Sequence, residues 1–437
     1  MDGHQPLSPT SYRGFVLTAL ATLFLVLSVA AGFCVLVDPY GIFGTPTLPR
    51  VNAIKSAAAL RVRLSKAYRV ALADPATLVV GSSVINLGID PESPAWLPAH
   101  RPVFNLGIDG APLAEQRRFL LNALAVAHPK LVLIVTSFED VMPSVEGEMS
   151  SFDPELRALD DGRPNPHFAL AHFKDLVSAT LSFRAIADSA QTLIRQAGPW
   201  INYQRNDGFE INSPEERYAA TQGVRAAVAK MDSDLALRIS AWTRRPVWSL
   251  EPLDVMIRAA RAAGADVVVA IPPVNTDIVE IRRQIGLAQD VAAWRSGIAL
   301  VVAADAAALG GRERVKLWDF GGLSPYTTTS LPLEFDMAKR WFWDTAHFSP
   351  GLGTLIIGRI EGRGDPSDFG IVVDAQNEEK TAADFSAAER KWVDTHPDDV
   401  GRVSDLLAGM RQLICRKEDD SCDGPSAFHL ASDRPPH

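Results

Sequence analysis

The chain reads as an α/β protein with one membrane-length helix, on three observations. Short apolar runs with the length and β-branched content of buried strands recur at Thr77 to Val80, Val103 to Leu106, Leu131 to Thr136, Val267 to Ile271 and Val315 to Trp318. Helical periodicity fills several intervals between them, as in Leu113 to Ala127 and Pro252 to Ala263, which predicts a parallel sheet covered by helices on both faces. Near the N-terminus, Gly14 to Val37 runs 24 residues without a charge, long enough to cross a bilayer as a helix. With 437 residues, 47% hydrophobic and 22% charged, the chain has the composition of a folded protein. Its formal net charge of -9 argues against a nucleic-acid partner, whose phosphates call for basic surface. Nearly all of that charge belongs to residues 361–437, whose own net is -8.

Taken in order, residues 1–13 are an N-terminal tail and 14–37 the span. A cleaved signal peptide competes with this reading, because Ala30 and Ala31 fit a small-residue cleavage site. The apolar run continues past them to Val37, which favours an anchor. A lipoprotein signal is disfavoured by Phe33 directly before Cys34. Basic residues give no clean orientation: Arg13 precedes the run, while Arg50, Lys55, Arg61 and Arg63 follow it. Residues 38–51, rich in Gly, Pro and Thr, read as a linker, and Asn52 to Leu72 as a helix with a mixed polar face. The main domain is expected over residues 52–360. Some 130 residues separate its third and fourth strands, more than a crossover needs, so a helical insertion is expected over about 150–248, packed over the sheet's edge. Phe173 to Gln196 and Glu215 to Trp242 are its clearest helical stretches.

Residues 361–437 are read as an acidic helical extension and tail. It opens with a loop and a short helix led by Ser386 and Glu389, a capping-box spacing. A second helix has Asp398 and Asp399 in its first turn, with Val400, Val403, Leu407, Met410 and Ile414 on one face. Residues from Lys417 onward have the composition of a disordered tail. Cys415 and Cys422 are spaced to close a short disulfide loop in an oxidising compartment, or are two unrelated thiols; no further Cys or His stands at zinc-ligand spacing beside them. The GRGDPS run at Gly362 to Ser367 is a turn composition that chance supplies.

Chemistry concentrates at the strand ends. The first strand stops in Gly81-Ser82-Ser83, a tight turn that presents a hydroxyl at the sheet's carboxyl edge; such a turn is also a common plain connection. The second runs into Asn105-Leu106-Gly107-Ile108-Asp109-Gly110, where Asn105 can brace the loop and Gly110 can turn an amide toward an oxyanion. Downstream, Asp344 stands three residues before His347, a carboxylate and an imidazole able to share one side of a turn, or else a capping aspartate and a surface histidine. A serine hydroxyl needs a base, and the base needs a carboxylate to fix its tautomer.

With these three blocks in this order, the chain resembles the SGNH/GDSL hydrolase superfamily, and within it the membrane-anchored periplasmic proteins related to alginate O-acetylation. The DPYGIFG segment after the span and HFSPGLG after the histidine are also similar to that subgroup. The resemblance implies a flavodoxin-like three-layer α/β/α sandwich with a parallel sheet. It further implies Ser83 as nucleophile, His347 as base, Asp344 as the orienting acid, and the backbone amides of Ser83 and Gly110 as oxyanion hole. One block departs. The superfamily's Gly-x-Asn-Asp after the third strand is here Thr136-Ser137-Phe138-Glu139-Asp140, with Phe138 in place of the Asn that donates to the oxyanion. Ser137 and Asn275 are candidates to replace that donor, a loss that typically costs a factor of about a hundred or more in rate.

The expected function is serine-dependent acyl transfer, as O-acetyltransferase or esterase, on a cell-surface or exported polysaccharide. The domain would lie on the periplasmic side of a bacterial inner membrane, with a single span and an exopolysaccharide modification or export complex as partner. Trp341 and Trp343 are candidates to stack on sugar rings, or are core aromatics, and Asn105, Ser137 and Asn275 are further candidates to line the substrate. No metal or other cofactor is expected, and no Gly-x-Gly-x-x-Gly or Walker loop follows a strand. The competing class is a catalytically inactive domain of the same kind that binds polysaccharide or scaffolds an export complex.

Overall fold

The computed structural model describes residues 9–141, 155–198, 203–211, 226, 229–230, 232–234, 248–308, 315–329, 341–364 and 369–417. The stretch Glu215 to Trp242 falls largely, and Cys422 and the second half of GRGDPS fall wholly, outside the described residues. The chain divides into two units.

The first unit is helical. It gathers α1 (Pro9–Val37), α2 (Ser56–Leu60), most of α3 (Val62–Ala73), α6 (Phe168–Leu181) and α7 (Phe183–Arg195). Within α1, Tyr12–Val37 is long and apolar enough to cross a membrane, with 11% of its most apolar window buried. Residues 38–51 differ from the expected linker. Asp38, Tyr40 and Ile42 are buried, Lys55 Nζ donates to the Asp38 carbonyl at 2.8 Å, and Tyr40 donates its phenol to Asp188 of α7 at 2.8 Å. Gly and Pro content marks where a backbone turns, and says nothing of whether the side chains between are packed. The insertion's two described helices group with α1, on which both pack, where the sequence suggested a cover for the sheet.

The second unit is a six-stranded sheet in the order β2-β1-β3-β4-β5-β6. Its strands are β1 (Thr77–Val80), β2 (Val103–Asn105), β3 (Leu131–Val135), β4 (Asp266–Ile271), β5 (Val315–Asp319) and β6 (Ile371–Val373). The first five are parallel, and β6 adds antiparallel to β5 at one edge. The α/β class read from the sequence is thus the observed one, with a mixed rather than purely parallel sheet. Central strands bury both faces, so alternate residues enter two cores. Leu78, Val80, Val132, Ile134, Val267 and Val269 face one, packed by α5 (Leu113–Leu124), α8 (Glu251–Ala262), α9 (Thr276–Gln284) and α10 (Ala288–Ala308). Val79, Leu133, Val135 and Ala270 face the other, with α4 (Ser83–Gly88) and α11 (Pro350–Ile360). Each large apolar side chain so enclosed contributes roughly 1.5–3 kcal/mol. Together α9 and α10 are apolar and long enough to resemble a span, but they bend by 116° at the break and bury Ile278, Ile281, Trp294 and Ile298 in the first core.

The C-terminal extension also departs from expectation. Helix α12 (Glu378–Thr395) is already running when it reaches Ser386, so the capping-box spacing there lies inside a helix. Helix α13 (Pro397–Lys417) opens with Asp398 and Asp399 as expected, and its Val403 and Leu407 enter the first core.

Candidate active site

Strand order reverses between β1 and β3, and the loop after β1 opens at the carboxyl edge there, where doubly wound sheets place ligands. Ser82 is the N-cap of α4 in extended conformation and Ser83 the first helical residue, so the Ser83 amide has no acceptor within its own helix. Ser83 is half-buried, and its hydroxyl lies 2.8 Å from His347 Nε2.

The imidazole is fixed by a short hairpin. The Ser349 amide donates to the Trp341 carbonyl and the Trp343 amide to the His347 carbonyl, each at 2.8 Å. Inside that turn the wholly buried Asp344 uses both oxygens: Oδ1 accepts from the Ala346 and His347 amides at 2.8 Å, and Oδ2 faces His347 Nδ1 at 2.7 Å. A carboxylate only accepts, so Nδ1 carries the proton and the Nε2 lone pair faces the Ser83 hydroxyl. The three predicted catalytic residues, separated by 264 positions in sequence, are thereby brought into one hydrogen-bonded line.

Two glycines allow this approach. A Cβ at Gly353 in α11 would sit 1.9 Å from the Gly88 carbonyl oxygen, and one at Gly88 would sit 2.2 Å from the Phe348 ring. Helices α4 and α11 therefore touch backbone to backbone, drawing the residue before Phe348 up to Ser83. Gly353→Ala is expected to cost roughly 2 kcal/mol or more through overpacking. A thermal melt matching the parent's would show that the two helices are not held this close.

Asn105 is fully buried and braces the site from beneath. Its amide nitrogen donates to the Ile85 and Ile89 carbonyls at 2.7 and 2.8 Å, and its oxygen accepts from the Gly107 amide at 2.8 Å. It ties the loop after β2 to α4 and is not available to a substrate. Gly110 is exposed in the following turn with φ of +67°, a left-handed conformation that suits glycine.

The third block is built differently from the sequence expectation. Phe138 points into the first core, edge-on to Trp294, with the Arg282 guanidinium over its ring. Arg282 is held in turn by Glu139 at 2.6 Å. Asp140, the residue two further on, does the local work. It is buried, accepts from the Ser137 amide at 2.9 Å, and takes hydrogen bonds from the Ser82 hydroxyl and Gln116. Burial pushes its carboxyl up to about 6 against the pull of those donors. The Ser137 hydroxyl makes no hydrogen bond among the described residues, so it stays open as a donor. Asn275 does not: it caps α9 through the Asp277 amide at 3.1 Å, and its own amide nitrogen is given to the Thr329 carbonyl at 3.2 Å. Its backbone amide holds the Thr345 carbonyl at 3.1 Å, so it positions the histidine turn. Of the two indoles, Trp343 is 8% exposed and presents no open face, while Trp341 is half-buried and meets Tyr326 edge-on at 4.9 Å.

Behind the histidine turn lies a group that no local sequence signal marks. Asp232 is 2% exposed, lies beside the Thr345 side chain, and stands 4.0 Å from Arg402 of α13, which also pairs with Asp277. Burial, helped by the negative charges of Asp277 and Asp344, pushes its carboxyl up to about 7. A raised acid holds its proton more tightly in the folded state, so stability falls as pH rises from the ordinary 3.8 to about 7. Asp232→Asn is expected to raise the melting temperature by a few degrees at about pH 8, the gain growing between about pH 4 and about pH 7. A lower melting temperature for that variant at about pH 8 would show that Arg402 more than compensates the buried charge.

No metal-binding cluster occurs among the described residues. Compared with known proteins, the chain matches no family description and no curated sequence.

Proposed function

We propose that this chain is a membrane-anchored, serine-dependent acyl-transfer enzyme with the SGNH arrangement, acting on an exported or cell-surface polysaccharide at the periplasmic face of a bacterial inner membrane. The observation that carries the reading is the unbroken line from the Ser83 hydroxyl through His347 to Asp344, at 2.8 and 2.7 Å. Nε2 of His347 takes the hydroxyl proton as Ser83 Oγ bonds to an ester carbonyl carbon, and the Asp344 carboxylate balances the imidazolium. Collapse of the tetrahedral intermediate breaks the ester C–O bond. His347 returns its proton to the leaving alkoxide, and the acyl group stays on Ser83. A second hydroxyl, from water or a sugar, then gives its proton to His347 and removes the acyl group. Water makes the protein an esterase; a sugar makes it an O-acetyltransferase, the outcome the resemblance to anchored relatives favours.

One observation favours the competing reading of an inactive glycan-binding or scaffold domain. The residue in the donor position, Phe138, is in the core, and the Asn275 amide is already used. The deciding experiment treats the purified full-length protein with a fluorophosphonate and an aryl acetate ester. Prompt labelling that maps to Ser83, with ester turnover, supports the enzyme; glycan binding without either supports the scaffold.

A further inference from the structure

The described part of the insertion points to a second contact with the membrane, one that rests on reading α1 as a span. Helices α6 and α7 pack on α1, and among the described side chains of α1 those that become buried are Cys34 and Val37 in its last turns. The seam continues just past the helix, where Tyr40 reaches Asp188, and Ser189 and Thr192 of α7 are fully closed. By contrast Phe15, Leu20, Phe24 and Val29 of α1 are 57% or more exposed, as lipid-facing positions would be. The apolar run Tyr12–Val37 has 26 residues. At about 1.5 Å per residue it is somewhat longer than a hydrocarbon core of about 30 Å, so Cys34 and Val37 fall within about two turns of the hydrocarbon boundary. Whatever clasps them sits at headgroup depth.

What α6 and α7 present outward fits that depth. Leu170, Phe173 and Val177, spaced i, i+3 and i+7, are 58%, 63% and 38% exposed on one stripe of α6, although its opposite side is already packed. Phe183, at the turn into α7, is 88% exposed, and Ile194 near its end is 73% exposed. A helix apolar on its packed and its open sides is at home in a core or in lipid. We infer that the α6–α7 pair is a membrane foot, with the stripe of Leu170, Phe173, Val177 and Phe183 seated in the headgroup–acyl boundary beside the span. The protein would then grip the bilayer by a transverse helix and by a pair lying against its surface.

The test uses the full-length chain with Cys415 and Cys422 changed to Ser and Cys34 left in place. Nitroxides are attached singly at Leu23→Cys, Phe173→Cys, Phe183→Cys and, as an aqueous reference, the exposed Leu300→Cys. The protein is reconstituted at low density in vesicles of phosphatidylethanolamine and phosphatidylglycerol, with the unsubstituted parent as blank. The expected result is an oxygen-to-nickel-chelate accessibility ratio at 173 and 183 several-fold above that at 300, and below that at 23. Ratios at 173 and 183 equal to that at 300, with 23 in lipid, would overturn the foot and leave the span standing. An aqueous ratio at 23 would remove the span reading itself, and the foot with it. Dipolar broadening at 173 or 183 would place a second copy on the stripe and likewise overturn the inference.

Discussion

Ser83→Ala is expected to lower turnover of an aryl acetate ester by a factor of about a thousand or more and to abolish fluorophosphonate labelling, with the melting temperature near the parent's. The hydroxyl makes its hydrogen bond to His347 and is half-buried, so its removal deletes the nucleophile without opening the core. The neighbouring Ser82 supplies the control. Its hydroxyl is directed to Asp140 and its backbone stands at the N-cap of α4 without a side-chain cap bond, so it is committed to the turn and cannot take over the reaction. Ser82→Ala should therefore lose stability, by about 1 kcal/mol for the lost polar contact with Asp140, and keep most of its turnover per folded molecule. Unchanged turnover in Ser83→Ala, or loss only in Ser82→Ala, would take the nucleophile's role away from Ser83.

How far the sequence reaches can be judged from such neighbours. The four residues of β1, three of them aliphatic, and the five aliphatic residues of β3 are enclosed on both faces, and burial of that kind favours continuous Val, Ile and Leu, so these strands are legible without coordinates. Ser83, Asn105 and the Asp344–His347 pair are legible for a related reason: each follows a strand or closes a turn where few residue types fit. By contrast β6 is only Ile371-Val372-Val373, too short a run to mark a strand and with two of its three residues exposed, and α10 is apolar on most sides and shows no period. Ser386 and Glu389 carry a capping spacing in the middle of α12 because the spacing alone does not say whether a helix is beginning. The direction of Phe138 could not be read either, since a single residue after a strand end has no periodicity to assign its face. Least legible of all is Asp232 with Arg402, which lie 170 positions apart; only the packing of α13 on α9 brings the guanidinium to the acid.

Asp344→Asn is expected to lower kcat by about four orders of magnitude while leaving KM and the fold nearly unchanged, because the change acts on a proton and not on shape. In the parent, Oδ1 is fixed by two amide donors, those of Ala346 and His347, and Oδ2 by the ring N–H. An asparagine must keep its oxygen toward the two backbone N–H groups, since an amide nitrogen there would meet them donor to donor. Its NH2 is thereby forced to face His347 Nδ1, where a second donor can be satisfied only if Nδ1 gives up its proton. The proton moves to Nε2, which then donates to the Ser83 hydroxyl and can no longer accept from it. The side chain stays in place, the line of hydrogen bonds survives with its polarity reversed, and the serine has no base. Steady-state ester kinetics and the rate of fluorophosphonate labelling should fall together. If the variant keeps more than about a tenth of the parent rate, the carboxylate is not what sets the histidine tautomer, and the line seen at 2.8 and 2.7 Å is a structural contact rather than a catalytic relay.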